Sequence, residues 1–330
     1  MRGRVWRAGQ LQPDFVFDRI SDYLTEEQSL VWVDLYDPDA EALRELATEL
    51  GLNAWAVEDA VDPSERVKTT VYADHTFFTV YAVEMAAPEP GAQPKSLLTR
   101  HRISAFVLDR ALVTVRLPPQ FDFDEVVRRW DDLGVPRYGV GGLVHGLLDV
   151  VVDGHFEAVQ ELDDNIEGLA DELFNSTGAA GSQRAFQHRS FQLRKDLLHL
   201  RRLVLPMREV VGSMQHHPHD FRHPVDLNPY YVDLYDHVLR VSEWTESLRD
   251  MVTTVFETNL SLQDARLNTV MKKLTGWAAI VAVPTAITGF YGQNVPYPGY
   301  GLFSGFLISS LVMLTLVLTL YVMFRRRDWL

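Results

Sequence analysis

No cysteine occurs anywhere in these 330 residues, so disulfides and thiolate-held metals are excluded. Charge is missing from two long stretches. Residues 274–292 and 302–324 contain no Asp, Glu, Lys or Arg, and each is long enough as a helix to cross the ~30 Å hydrocarbon core of a bilayer. Proline and glycine are absent between Pro229 and Gly276, which permits a single helix of ~70 Å. Lysine and arginine are absent from residues 143–174. No glycine-rich phosphate cradle is present either. Gly139-Val140-Gly141-Gly142 lacks the spacing of a dinucleotide fingerprint and has no clear strand before it. The basic start, Met1-Arg2-Gly3-Arg4-Val5-Trp6, has no apolar run behind it, so no cleaved signal peptide is expected.

What is present begins with acid. Forty-five Asp and Glu against 31 Lys and Arg give a net charge of −14, which argues against nucleic acid and suits a body that attracts or senses cations. The two apolar stretches are separated by residues 293–301 alone, so they are expected to form a membrane hairpin with the rest of the chain on one side. Lys272 and Lys273 precede the first span and Arg325, Arg326 and Arg327 follow the second, whereas the connecting loop has neither lysine nor arginine. The positive-inside rule then predicts a cell-membrane protein with both termini cytoplasmic.

The soluble part reads as an α/β cytosolic domain at 1–138, with strands expected at 29–35, 67–72, 76–83, 103–108 and 111–116 and a helix at 38–50 closed by Gly51. Residues 86–94, with three prolines, are expected to be a loop. A helical hairpin is expected at 139–228, made of an acidic helix (143–174), a turn (175–183) and a basic helix (184–214). The opposite charges favour that pairing, although most such ion pairs are solvated and weak. A stalk helix at 229–273 carries Leu234, Val238, Val241, Thr245, Leu248, Val252, Val255, Asn259 and Leu262 at alternating spacings of four and three. That is a coiled-coil seam, and on one helix leading into a span it implies several copies of the chain. The remaining expected segments are a first transmembrane helix at 274–292, an external loop at 293–301, a second transmembrane helix at 302–324 and a basic tail at 325–330.

The same rhythm carried on into the membrane places Glu257, Ser261, Asp264, Asn268, Met271, Thr275, Ala278, Ala282, Thr285 and Gly289 on one helical face. The stripe is polar or small throughout. Close helix–helix packing explains small residues, and a pore wall presenting amide and hydroxyl oxygens explains the polar ones. A two-helix hairpin cannot enclose a pore alone, so transport would require an oligomer. His216, His217, His219 and His223 sit beside Pro218 and Pro224 and read as an exposed loop, with Zn²⁺, Co²⁺ or Ni²⁺ ligation as the sharper alternative. Asn175-Ser176-Thr177 matches a glycosylation sequon but falls in the expected cytoplasmic part.

Nearly the whole chain resembles the CorA-type divalent cation channels of the two-transmembrane GMN superfamily. The residues that carry the resemblance are Tyr291-Gly292-Gln293-Asn294, the segment Asn268 to Thr275, the terminal Arg325-Arg326-Arg327-Asp328-Trp329-Leu330, and Val57-Glu58-Asp59-Ala60. The resemblance implies a funnel-shaped homopentamer with the first span lining the pore. It implies an Asn294 ring at the outer mouth, and Thr285, Met271 and Asn268 at successive levels below, with Asn294, Thr285 and Asn268 meeting the ion. Transported Mg²⁺, with Co²⁺ or Ni²⁺, is the implied cargo. Regulatory Mg²⁺ between soluble domains would hold the pore closed through Glu257 and a neighbour's Glu84. One position departs from the family pattern: Gln293 stands where methionine is usual, as in branches that include zinc transporters. A Zn²⁺ transporter of the same fold, coupled to protons, is therefore the nearest alternative, and a membrane-anchored coiled-coil scaffold without transport is the other. No catalytic constellation is found, so an enzyme is not expected.

Overall fold

The computed structural model describes residues 1–86, 96–175, 180–216, 224–293, 296 and 299–329, in two units, Met1–Val255 and Phe256–Leu330. In the first unit, β-branched and aromatic runs make the strands. These are β1 (Arg2–Arg7), β2 (Gln10–Leu11), β3 (Ser29–Tyr36), β4 (Lys68–Val71), β5 (Thr76–Met85), β6 (Leu98–Val107) and β7 (Ala111–Arg116). They form one seven-stranded sheet in the order β2-β1-β3-β7-β6-β5-β4. Only β3 and β7 run parallel; the other neighbours are antiparallel, and β5 and β6 form a hairpin in register from Thr76↔Val107 to Met85↔Leu98. The expected loop at 86–94 follows that strand directly, and its residues 87–94 lie outside the described residues.

Alternation along β3 divides the core. Val31, Val33 and Leu35 pack with Ile20 and Tyr23 of α1 (Ile20–Thr25), Leu43 and Leu46 of α2 (Ala40–Leu50), and Ala56 and Ala60 of α3 (Ala54–Val61). The expected helix at 38–50 is α2: Asp39 caps it by accepting from the Glu41 and Ala42 amides, and Gly51 ends it in the left-handed region. Trp32 points to the other face, stacked on Phe123 at 5.3 Å and edge-on to Trp130 of α4 (Asp124–Leu133) at 4.8 Å. Two elements escape a reading by strand composition. β1 is half basic but buries Val5 and Trp6, and β6 begins at Leu98, five residues before the expected strand, because Arg102 and His101 are buried within it.

Three long helices follow: α5 (Gly139–Asn175), α6 (Ala180–His216) and α7 (Asn228–Tyr291). The expected acidic and basic helices are α5 and α6, and the turn between them is shorter than expected because α6 resumes at Ala180. Their opposite charges do little of the holding. Arg189–Glu172 is the ion pair linking the two among the described residues, and both partners are largely exposed. Apolar seams supply the packing instead, with Leu162, Ile166 and Leu169 of α5 and Leu193, Leu197 and Leu200 of α6 all fully buried.

The α7 seam requires a correction to what it implies. Leu234, Val238, Val241, Thr245, Leu248, Val252 and Val255 are already buried within a single chain. The contacts that flank them go to α5 and α6: Tyr231 Oη donates to the Gly141 carbonyl at 3.0 Å, Trp244 Nε1 to Asp163 Oδ2 at 3.1 Å, and Arg201 Nε to Glu246 Oε2 at 2.7 Å. The periodicity is that of a coiled coil, as read, but this stretch is covered by the chain itself and does not call for further copies. Beyond it, Asn259 and Leu262 are half-exposed.

His155 joins α5 to the sheet. It is 1% exposed, and its Nε2 lies 2.8 Å from the Tyr81 carbonyl. Burial pushes its pKa down to about 4, with the Tyr81 carbonyl opposing that shift weakly. The unfolded chain holds the proton below about pH 6.5 and the folded chain does not until about pH 4. Stability is therefore fully present above the upper value and is lost as pH falls through the window. Taking the protein from pH 7 to 5 should cost about 2 kcal/mol through this group. His155→Gln, which keeps a donor for Tyr81, should flatten the pH dependence of thermal melting; an unchanged slope would place the effect elsewhere.

In the second unit, α7 runs on from Phe256 to Tyr291, and α8 covers Phe303–Arg326. Both are long and apolar enough to cross a membrane. At about 1.5 Å per residue, the 64 residues of α7 span roughly 96 Å. Pro284 lies inside it and leaves the Ile280 carbonyl without its usual amide partner. Three hydroxyls fold back on the helix here: Thr285 Oγ1 donates to the Val281 carbonyl at 3.1 Å, and Thr288 Oγ1 reaches Pro284 and Thr285 carbonyls at 2.8 and 3.2 Å, while Thr269 Oγ1 does the same to Ala265 at 2.9 Å.

Candidate functional site

The burial pattern of α7 within the second unit separates its faces. Gly276 and Ile280 are buried, and Ala279, Val283, Pro284, Ile287 and Tyr291 are half-buried. These seven cluster on one side of the helix. A cavity of about 410 Å³ lies on that side, lined by Ile287, Thr288, Tyr291 and Gly292 of the α7 end and by Phe306, Ser309, Ser310 and Met313 of α8. This is the face that meets α8. At 100° per residue, the stripe of Thr275, Ala278, Ala282, Thr285 and Gly289 is centred about 150° away from it. All five are exposed, and so are Asn268 and Met271 on the same line. The small and polar stripe therefore faces away from α8, available to other copies or to water.

The corner after α7 is built by glycine contacts. The Gly292 amide donates to the Thr288 carbonyl at 2.8 Å and Gln293 to Phe290 at 3.3 Å. A Cβ at Gly292 would lie 2.9 Å from the Thr288 carbonyl oxygen. On the return, Gly299 adopts φ +89° and its backbone packs on Gly305, whose missing side chain makes room for it. Leu302 N donates to the Gly299 carbonyl at 3.1 Å and Gly305 N to Leu302 at 3.0 Å. Gly299 and Gly305 were not singled out by sequence; two glycines six apart across a helix start are the signal that was there. Tyr291 is half-buried and Gln293 exposed. Asn294 lies outside the described residues, as do His217, His219 and His223. His216 is at the end of α6 and bonds the Gly212 carbonyl at 2.6 Å.

The two expected regulatory carboxylates fall in different units. Glu84, near the end of β5, is half-exposed and lies 3.2 Å from Nε2 of the buried His101, whose Nδ1 is 3.1 Å from the Pro119 carbonyl. Glu257 is exposed on α7. The Glu58-Asp59 segment is on α3, where Asp59 is ion-paired with Lys68 at 2.7 Å. Burial lowers the Lys68 pKa, and the hydrogen bonds and charge of Asp59 and Glu65 outweigh it to give a net rise.

A further cluster in the first unit was not legible in sequence. Asp149 and Asp153 of α5 and His237 of α7 bring one ligand atom each within 4.8 Å of one another. This donor set is of a kind that a divalent ion accepts. Arg129 of α4 already bridges the two carboxylates, bonding Asp149 and, at 2.8 Å, Asp153. Burial alone would lower the Arg129 pKa, and those two carboxylates reverse the sign and raise it. The guanidinium thus ties α4 to α5 where a cation would compete.

An α/β body followed by two C-terminal helices long and apolar enough to cross a membrane, the first being the end of the 64-residue α7, is the architecture of a membrane-anchored protein. The chain belongs to the family described as "CorA-like Mg2+ transporter protein", whose sequence model matches residues 27–326. Proteins of this family are divalent metal ion transporters and not enzymes. The chain is 25% identical over 323 residues to the "Cobalt/magnesium transport protein CorA" of Methanocaldococcus jannaschii, covering 94% of this chain and 95% of that one. Its fold matches the complete structure of the CorA magnesium transporter from the same organism with a TM-score of 0.77 at 21% identity, over 100% of this chain and 99% of the other. The cytoplasmic domain of ZntB from Vibrio parahaemolyticus shares the fold of the soluble part, at a TM-score of 0.57 and 12% identity over 72% of this chain and 88% of that one.

Proposed function

We propose that the chain is a homopentameric cell-membrane channel for hydrated divalent cations, chiefly Mg²⁺ with Co²⁺ or Ni²⁺ passing as well. The observation that carries this reading is the stripe of Asn268, Met271, Thr275, Ala278, Ala282, Thr285 and Gly289 on the α7 face turned away from α8. Five such faces brought together would line a pore, with α8 outside them. The basic ends at Lys272–Lys273 and Arg325–Arg327 support a topology with both termini and the body in the cytoplasm.

The chemistry suits Mg²⁺. This ion gives up its waters reluctantly and keeps several of them when bound. A ring of neutral Asn294 amide oxygens would hydrogen-bond those waters and hold the ion without trapping it, whereas a carboxylate ring would bind more tightly and slow release. Inside the pore, the Thr285 hydroxyl hydrogen is taken by the Val281 carbonyl. Its oxygen lone pairs are then left to accept from a hydrated ion, which is the polarity a cation needs. Tyr291 and Gly292 set the corner, and Gln293 is the position at which selectivity would depart from the usual family pattern. Regulation would run through Glu257 and Glu84 with cytosolic Mg²⁺ between copies, each carrying a charge of −14 that bound cations would offset.

The test is ion flux into proteoliposomes holding the full-length protein. Mg²⁺ uptake that Asn294→Ala reduces by about tenfold or more is the expected result. Uptake of Zn²⁺ alone, rising with a proton gradient, would replace this reading by the zinc alternative that Gln293 favours. Membership of a transporter family already speaks against a scaffold without transport.

A further inference from the structure

We propose that the end of α8 is a binding site for an anionic phospholipid. A shallow groove of about 480 Å³ runs along α8, lined by Leu318, Thr319, Val322, Met323, Arg326 and Arg327. Its two ends differ in chemistry. Four residues offer an aliphatic trough within the span, and two guanidiniums close it where the apolar sequence stops. That is the order of groups in a phospholipid, with acyl chain below and phosphate at the surface. Guanidinium forks match phosphate oxygens bidentately.

Two observations choose lipid over a second copy of the chain. Arg325, Arg326 and Arg327 are exposed, and none has a carboxylate partner among the described residues. Asp328 offsets at most one of the three charges. The hairpin places Lys272 and Lys273, also exposed, at the same membrane level. The spans of another copy would therefore bring like charge to this end, and they contain no acid to neutralise it. An anionic headgroup does so directly, at about 1 kcal/mol for each basic residue near the surface. The chain also turns sharply just after the arginines. Asp328 takes a φ of +55°, Trp329 N donates to the Phe324 carbonyl at 3.0 Å, and the Trp329 ring stacks on Phe324 at 5.5 Å. An indole fixed there is at home in the headgroup region and holds the guanidiniums at that depth.

This inference rests on the topology proposed above, which puts the groove in the cytoplasmic leaflet. Its test is native mass spectrometry of the full-length assembly purified with dioleoyl-phosphatidylglycerol and dioleoyl-phosphatidylcholine in equal amounts. Phosphatidylglycerol should be retained in roughly tenfold excess. Arg326→Gln with Arg327→Gln should abolish that excess. Val322→Phe, which fills the trough without changing charge, should reduce retention and so guards against a failure of insertion in the charge variant. Equal retention of the two lipids overturns the proposal, as does displacement of phosphatidylglycerol by millimolar inorganic phosphate. Because the chain has no cysteine, Val322→Cys gives a unique thiol, and its oxidative cross-linking between copies would show a protein neighbour in the groove and overturn the proposal too. The topology is read separately, by impermeant labelling of a cysteine placed at Asp328, so that its failure is distinct from failure of lipid binding.

Discussion

Gly305→Val should lower divalent cation uptake by about tenfold or more, equivalent to at least ~1.4 kcal/mol at the transport barrier, while leaving the soluble body's melting unchanged. Gly305 is buried at the first turn of α8, and its backbone is in contact with that of Gly299. A Cβ added to Gly305 would run into the Gly299 carbonyl group, whose carbon would be 3.0 Å away, and a Cβ on Gly299 would lie 3.1 Å from the Gly305 Cα. Neither neighbour is a flexible side chain that can swing aside. Relief has to come from the backbone that returns from the corner after Gly292. Gly299 also holds a φ of +89° that a side chain resists. The body belongs to a separate unit, Met1–Val255, so the loss should be confined to transport. Ser304→Ala, one residue away and exposed, is the control that should transport normally. Normal flux through Gly305→Val at normal surface expression would mean that the return of the loop does not shape the mouth.

The degree to which such features were legible follows from what periodicity encodes. A run such as Ser29–Tyr36 announces itself because seven of its eight residues are buried and its composition is β-branched and aromatic. β1 does not, since arginines fill its outward positions and only Val5 and Trp6 touch the core. The α7 seam shows the limit most clearly. Spacing at four and three states that one face is covered, and it carries no information on what covers it. α5 and α6 do so up to Val255, and beyond that the same rhythm turns into an exposed stripe. The stripe itself was readable from its small and polar residues. Its orientation away from α8 needed the burial of Gly276 and Ile280 to fix the opposite face. The Arg129 bridge to Asp149 and Asp153 beside His237 depends on α4, α5 and α7 meeting in space, which no local pattern foretells.

Arg116→Met should destabilise the α/β body by about 3–5 kcal/mol, the range for removing one member of a buried ion pair. For a body of this size that corresponds to a fall in melting temperature of roughly 10 °C. Asp34 on β3 pairs with Thr114 of the parallel strand β7, Arg116 lies two residues further along β7, and the two charged residues are 1% and 5% exposed. Arg116 Nε donates to both Asp34 oxygens at 2.9 and 3.1 Å, and its other nitrogens bond Asp34 and the Phe121 carbonyl. Thr114 Oγ1 adds a bond to Asp34 at 2.8 Å and itself accepts from Trp32 Nε1 at 3.1 Å, and the guanidinium lies 4.8 Å over the Phe123 ring. Removing the guanidinium leaves a carboxylate with one hydroxyl and no cation inside a closed core. Removing both charges, with Asp34→Leu beside Arg116→Met, leaves Thr114 the Val33 carbonyl at 3.3 Å as acceptor, takes the guanidinium donor from the Phe121 carbonyl and leaves nothing ionised. The double variant should therefore recover most of the loss, and the two single changes should sum to several kcal/mol more than the pair. Thermal or urea melts of the four proteins measure this directly. Additive losses would mean that the two charges act independently, each held by the sheet and the aromatic ring rather than by the other.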